Sequence, residues 1–553
     1  IIQGTSDVAK SQTKYYFNLE NYEPRNINIQ VKNAKIEDLL TLLNEPSYMK
    51  GDLNILADIK NANISKLDGM IVSKITNAKV NNDVVNKEFS QTIQTPISFQ
   101  SDINAILTPN KAEIKSNLIS PIAEVFMNRT IIDLSTNDIK TDYKIEVKNL
   151  NKLEGIIAKK LNGEFLTNGS FKSFNETIQI EGSSNIFEGI TKYTTEFKDS
   201  KISNIKFAIE SAKLEKFLQV INEPIYATGD LNIQADIKNA NLDKLEGVIN
   251  SKITNGLVVN EVTNTIFKQD LKEKVNFDLY VDTDLIPNQA VSKAVLETTL
   301  GNLTTKNSIY NLKENAFNSD YLLNIPQLDK LKDVVKMSLK GKLDISGELY
   351  NKENSMSLNG KSDTLGGTFD FDLKNDKLNA NLKNIDIQAL SSMLDKSKIF
   401  DSKANFNLDY DLLTKKGNLL GKLTNGHLLE NNFVTLVNQL AKVELTKEVY
   451  ETFDINTKIN DRILTSDLIM KSQNTQLNIK DSILDLEKNL IDAKINTTIK
   501  DKTLDINLKG ETSSPQISLD AKDLLKEQIN KKIEKKKDKI QQKLNKALEK
   551  AYQ

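Results

Sequence analysis

The chain has 553 residues but no cysteine, no tryptophan and a single histidine, His427. Without cysteine there is no disulfide framework, no thiolate nucleophile and no cysteine-ligated metal. One histidine, in the turn-like Asn425-Gly426-His427, leaves a His-based relay or a zinc site without partners. An excess of either charge is missing too: 74 basic residues face 75 acidic ones, which gives no general case for nucleic acid as a partner. No apolar run approaches the ~18–20 residues of a membrane-spanning helix, and no signal peptide is visible. The first residue is Ile1 rather than Met, as expected of a fragment or processed product whose N-terminal anchor would lie upstream. None of GxxxxGK[ST], GxSxG or HExxH occurs. No enzyme chemistry, metal or cofactor is therefore expected.

What the chain does have is a repeat. Residues 44–77 (NEPSYMKGDLNILADIKNANISKLDGMIVSKITN) and 222–255 (NEPIYATGDLNIQADIKNANLDKLEGVINSKITN) align without a gap at an offset of 178, with 25 of 34 positions identical. Inside each copy apolar residues fall on every second position: Leu53, Ile55, Ala57 and Ile59 in the first, Leu231, Ile233, Ala235 and Ile237 in the second. This is a strand with one apolar and one polar face. Upstream, Ile36, Leu39, Leu40 and Leu43 are spaced as one face of a short helix that stops before Pro46. Helix-then-strand units recur with starts near Ile36, Leu150, Leu214, Leu328 and Ile387, so a pair of units looks duplicated. Three modules result, two nearly identical (27–89 and 205–267) and one divergent (143–190), within a repeat-containing region 1–267.

Residues 268–520 continue in strand pattern. From residue 521 the chain has neither Gly nor Pro, and Leu525, Ile529, Ile533, Ile540, Leu544 and Leu548 keep to one stripe of a Lys-rich amphipathic helix, 521–553. This segment holds 11 Lys against 5 Asp/Glu. It suits an anionic membrane surface, an acidic partner or a solvated helix closing the open end of the sheet, and its stripe lacks Phe and Trp.

Strands that alternate this cleanly are antiparallel with one covered face. At ~9 residues each plus a turn, about 35–40 fit the chain. Five short helices cannot cover so much apolar face, and uncovered it is a liability at ~25 cal/mol per Å². Either the sheet folds on itself and fills with side chains, or it curls into a groove holding an apolar ligand. The expected fold class is mainly β: a long curled, twisted antiparallel sheet, a taco-like groove built from repeats, with short interspersed helices and a C-terminal amphipathic helix.

The closing segment DKTLDINLKGETSSPQISLDAKDLLKEQINKKIEKK is similar to the C-terminal end of AsmA-like proteins, a last strand, a turn, a final strand and a Lys-rich helix, with Gly510, Pro515, Ile517, Leu519 and Asp520 carrying the match. GKLTNGHLLENNFVTLVNQLAKV resembles the Gly-containing strand and helix before it. The superfamily includes the TamB and YhdP types of bridge-like lipid transfer protein. The resemblance implies a periplasmic conduit of a Gram-negative cell, anchored in the inner membrane by an N-terminal helix this chain lacks. It would move phospholipid or another acyl lipid towards the outer membrane, with membrane proteins at both membranes as partners and no bond chemistry. The alternative is a structural or assembly scaffold for outer-membrane components, with the sheet packed shut.

The residues expected to line the groove are Leu53, Ile55, Ile59, Leu231, Ile233, Ile237, Leu343, Ile345, Phe369, Phe371, Phe406, Leu408, Leu477, Ile479, Ile495, Ile506 and Leu508. The bland reading makes them an ordinary core. The acidic pairs Asp282/Asp284, Asp370/Asp372 and Asp409/Asp411 alternate with strand apolar residues, which points to a solvated outer face.

Overall fold

The computed structural model describes residues 1–20, 23–198, 201–431, 434–435, 438–439, 443–500, 502–512, 515–520, 529 and 532–542, without the side chains of residues 201, 502, 519 and 520. They form two compact units, residues 1–299 with 309–313, and residues 300–308 with 314–553.

Unit one begins with β1 (Ile2–Ser6), β2 (Gln12–Glu20), β3 (Glu23–Lys35), α1 (Ile36–Leu42), β4 (Met49–Asn61), β5 (Asp68–Val80) and α2 (Asn82–Phe89). Four strands follow, β6 (Ser98–Thr108), β7 (Lys111–Ile119), β8 (Glu124–Asp133) and β9 (Ile139–Val147). A 3-10 turn at Leu150–Leu153 leads into the one-turn helix α3 (Glu154–Ile157). Next come β10 (Phe165–Phe174), β11 (Thr177–Ser184), β12 (Ile190–Lys198), β13 (Lys201–Lys213), α4 (Leu214–Val220), β14 (Ala227–Asn239), β15 (Glu246–Val258) and α5 (Asn260–Phe267). The unit ends with β16 (Asn276–Ile286) and β17 (Gln289–Thr298). The residues of β18 (Asn302–Asn311) divide between the units.

Unit two contains β19 (Ala316–Ile325), α6 (Lys332–Val335), β20 (Leu343–Lys352), β21 (Ser355–Ser362), β22 (Thr368–Lys374), β23 (Lys377–Asp386) and α7 (Ile387–Met393). After them run β24 (Phe400–Asp411), β25 (Lys416–Leu428), β26 (Tyr450–Asn460), β27 (Ile463–Ser472), β28 (Thr475–Asp485), β29 (Leu490–Ile499), β30 (Lys502–Glu511) and β31 (Gln516–Asp520).

Within each unit the strands form an antiparallel meander, each hydrogen-bonded to its neighbours in sequence. The described residues thus make a mainly β protein of 31 strands with short helices. The number falls below the 35–40 expected because strands reach 13 residues and long connections absorb the rest.

The connections are asymmetric. Every α-helix follows an odd-numbered strand. In a meander all odd-to-even connections lie at one long edge of the sheet, so each unit has one helical edge and one edge of tight turns. At the turn edge, Asn110 and Asn288 take the left-handed conformation that asparagine tolerates (φ 60 and 62). At the helical edge, Glu37 and Asp38 suit the first turn of α1, and Ile36 is buried beneath it. Glu37 also accepts from the Gly51 N–H at 3.2 Å, as Glu215 does from Gly229 at 3.3 Å one repeat later.

The helical starts expected at Ile36, Leu150, Leu214, Leu328 and Ile387 are where helical turns begin, those at Leu150 and Leu328 as 3-10 turns leading into α3 and α6. Two helices, α2 and α5, were not anticipated. Each is only eight residues long, too short for an i, i+3, i+4, i+7 series to stand out, and leaves no residue fully buried. The Lys-rich helix is described only at residues 529 and 532–542, which are helical; the rest of 521–553, with Leu525, Leu544 and Leu548, lies outside the described residues.

Candidate functional site

In each unit one face of the sheet is apolar. In unit one a single cross-strand row runs Ile29, Ala57, Ile71, Ala105, Ile114, Thr130, Thr141, Phe171, Ile180. All 17 residues expected on the groove lie on this inner face, and none is exposed. Five of them, Leu231, Phe406, Leu477, Ile495 and Ile506, are fully buried, while the other twelve are only half-buried. That split separates two regions.

Across β24–β30 the face is a packed core. Phe400, Phe406, Leu423, Tyr450, Met470, Leu477, Ile495, Leu504 and Ile506 form one cluster with Val434 and Leu445, which come from the connection between β25 and β26 and lie over the face. Ile479 and Leu508 pack against the cluster. Here the core reading describes the groove candidates better than the groove does. Inside the cluster the hydroxyl of Thr497 is buried without a hydrogen-bond partner.

Elsewhere the face is lipped rather than covered. Leu214 and Leu218 of α4 pack at the strand ends against Ile253 and Phe277, and Phe217 joins Ile209, Ala212 and Leu231. The helices therefore border the inner face along the helical edge. Leu53, Ile55, Ile59, Ile233 and Ile237 in unit one, and Leu343, Ile345, Phe369 and Phe371 in unit two, stay half-buried.

The two near-identical copies divide by face. From Leu53 to Ile59 and from Gly69 to Ile75 every inner position matches: Leu53, Ile55, Ala57, Ile59, Gly69, Ile71, Ser73 and Ile75 against Leu231, Ile233, Ala235, Ile237, Gly247, Ile249, Ser251 and Ile253, while beyond the bulges Met49 and the buried Ala78 are replaced by Ala227 and Gly256. On the outer face Leu56, Met70 and Val72 are replaced by Gln234, Val248 and Asn250. Two of the outer pairs that do match, Asn54/Asn232 and Asp52/Asp230, have bonds to keep. Asn54 and Asn232 accept from backbone N–H groups at the bulges of β3 and β13, at 3.0 and 2.9 Å. Asp52 accepts from Asn77 and pairs with Lys35 at 2.6 Å; Asp230 repeats this with Asn255 and with Lys213 at 2.8 Å.

These partners hold both carboxyls below their ordinary range, Asp52 through Asn77 and then Lys35, Asp230 through Lys213 and then Asn255. The lysines are raised in turn. The carboxylate contribution is present above pH 3.8, the ordinary Asp value, and is lost as pH falls through the lower folded value. The lysine contribution is present below 10.5 and is lost as pH rises through the higher folded value. The double variant Asp52→Asn/Asp230→Asn should therefore unfold more readily than the parent near neutrality. Its deficit should shrink below pH 3.8, as read by unfolding midpoints across an acid series.

A second repeated feature, missed in the sequence, sits on the same inner face. Tyr143, Gly169, Gly182 and Tyr193 share one cross-strand row, and 178 residues on so do Tyr321, Gly347, Gly360 and Phe371. The rings lie flat over the glycines. A Cβ on Gly182 would sit 2.5 Å from Tyr193 Oη, and one on Gly169 would collide with the Glu181 carbonyl. Tyr143 donates to Glu181 O at 3.0 Å, and its hydroxyl is 2.9 Å from that of Tyr193. Burial, then Tyr193, pushes the Tyr143 phenol up. Carrying the alignment beyond Asn255 would have found both rows. Gly169→Ala should cost about 1–3 kcal/mol by overpacking, read as faster hydrogen exchange in β9–β12.

The acidic pairs alternate with inward residues such as Val281, Phe371 and Leu408, so they lie on the outer face. Lys377 at 2.6 Å and the Thr414 N–H hold Asp411 down to about 2. His427 is exposed in β25, opposite Asp401. Among the described residues no cluster of three His, Cys, Asp or Glu could hold a metal, and no helix is long and apolar enough to cross a membrane. No protein-family model, curated protein or solved structure matches this chain.

Proposed function

We propose that the chain is a lipid-binding conduit: acyl chains lie along the half-buried inner face while head groups stay in water at its border. One observation carries this reading. The eight inner positions from Leu53 to Ile59 and from Gly69 to Ile75 are identical between the two copies, although most of them are only half-buried, while Leu56, Met70 and Val72 on the outer face have changed. Core packing constrains residues that are fully enclosed; a half-open apolar face kept this strictly is better explained by something that lies on it. A hydrocarbon chain gains ~0.8 kcal/mol per buried CH₂, without hydrogen bonds or catalysis. The resemblance of the closing segment supplies the setting: a periplasmic protein anchored in the inner membrane, passing phospholipid between inner and outer membranes with membrane proteins at each end. Across β24–β30, where the face is filled by its own side chains, a scaffold role is favoured instead.

The test is direct. Chain purified from cells is extracted with organic solvent and analysed by mass spectrometry. Stoichiometric phospholipid supports the conduit, and its absence from gently purified chain contradicts it.

A further inference from the structure

The helical edge carries a second repeated feature, in the connections β9–β10 and β19–β20. In the first, α3 ends in Ile156 and Ile157, which are 41% and 40% exposed, followed by the exposed Lys159 and Lys160. In the second, α6 ends in Val334 and Val335, 38% and 42% exposed, with Met337 at 45%. Between residues 150–162 and 328–340 only 4 of 13 positions are identical, among them Leu150 and Leu328, which anchor each turn in the interior. An exposed apolar pair nevertheless survives at the same place in both.

The charge around each pair is biased. Residues 148–164 hold four lysines against two glutamates, and residues 326–342 hold five lysines against two aspartates. The chain before residue 521 is acidic overall, at about −7. Among the described residues neither Lys159 nor Lys160 forms an ion pair. The neighbouring connections bearing the exposed Phe89 and Phe267 show no basic excess: 81–97 holds one lysine against two acidic residues, and 259–275 three against three.

Exposed branched aliphatics at a helix end, flanked by lysines, match a surface that is apolar just below a negatively charged layer. We propose that each of these two connections docks on an anionic lipid bilayer, with Ile156/Ile157 and Val334/Val335 entering the acyl boundary and the lysines meeting the head groups. The proposal does not depend on the conduit reading, since a chain that binds no lipid on its inner face could still dock, and the reverse.

The absence of tryptophan makes the test clean. Bulk co-sedimentation would not isolate the loops, because residues 521–553 carry about +6 of their own. Full-length Ile157→Trp and Val335→Trp each place one tryptophan at a tip. Leu242→Trp is the control, since Leu242 is 47% exposed at the opposite, turn edge of unit one. With vesicles of brominated phosphatidylglycerol the tip reporters should shift to the blue and lose at least half their emission, while Leu242→Trp stays unchanged. Adding Lys159→Glu/Lys160→Glu to Ile157→Trp should reduce that quenching several-fold, with circular dichroism unaltered. No quenching at the tips, equal quenching by brominated phosphatidylcholine, or equal quenching of Leu242→Trp would each overturn the proposal. An acidic protein partner in place of a bilayer gives the first of these results.

Discussion

Replacing Ile55 and Ile233 together by aspartate is expected to strip bound lipid from the chain while both units stay folded. Both side chains are half-buried on the inner face, so an introduced carboxylate keeps contact with water and avoids the penalty of a fully enclosed charge. For an acyl chain on the same face the exchange is costly. Two or three methylenes lose their apolar partner at ~0.8 kcal/mol each, and every ~1.4 kcal/mol is tenfold in affinity. Lipid co-purifying with the double variant should fall at least tenfold, by mass spectrometry of solvent extracts, with an unchanged circular dichroism spectrum. Asn54 and Asn232 sit next in sequence but face outward, so Asn54→Asp/Asn232→Asp should leave lipid content as it was, and a carboxylate oxygen can still accept the backbone N–H at each bulge.

A second pair of variants contrasts the two regions of the face. Leu504→Ala in the closed cluster should cost about 2–5 kcal/mol, the usual range for emptying an enclosed site, since Leu504 is 0% exposed. Ile55→Ala should cost about 1 kcal/mol or less, because its half-buried side chain leaves little void behind. The units need not unfold together, so the comparison is best made by hydrogen exchange resolved to β28–β30 and to β3–β5. Equal costs would mean that the face is packed to the same degree throughout.

Much of this architecture is legible in the sequence because its signals are local. A period of two assigns each strand residue to a face, and that placed all 17 candidates on the inner side. The i, i+3, i+4 spacing of Ile36, Leu39 and Leu40 fixed where α1 begins, and the recurrence of the helix-then-strand pattern did the same for α4 and α7. What escaped depends on partners distant in the chain. Nothing in NFVTLVNQLAKVEL says that Val434 and Leu445 will lie over the strands from Phe400 to Ile506, because that closure is made by tertiary contact. Helices α2 and α5 span only eight residues each, about two turns, and bury no residue fully. The Tyr143–Gly169–Gly182–Tyr193 row joins residues up to 50 apart through strand register, which composition and periodicity do not encode. Only the 178-residue offset, carried further, would have exposed it through its second copy at Tyr321, Gly347, Gly360 and Phe371.

The central claim is that lipid lies on the inner face and not merely on any apolar surface. Ile55 and Leu56 are adjacent residues on opposite faces of β4, and Leu56 is the more exposed at 53%. A benzophenone amino acid placed at one or the other and photolysed in cells reports which face touches lipid. A phospholipid adduct at position 55 and none at position 56, read by mass spectrometry of the intact chain, is the result the conduit predicts. Adducts at position 56 alone, or at both positions alike, would contradict it.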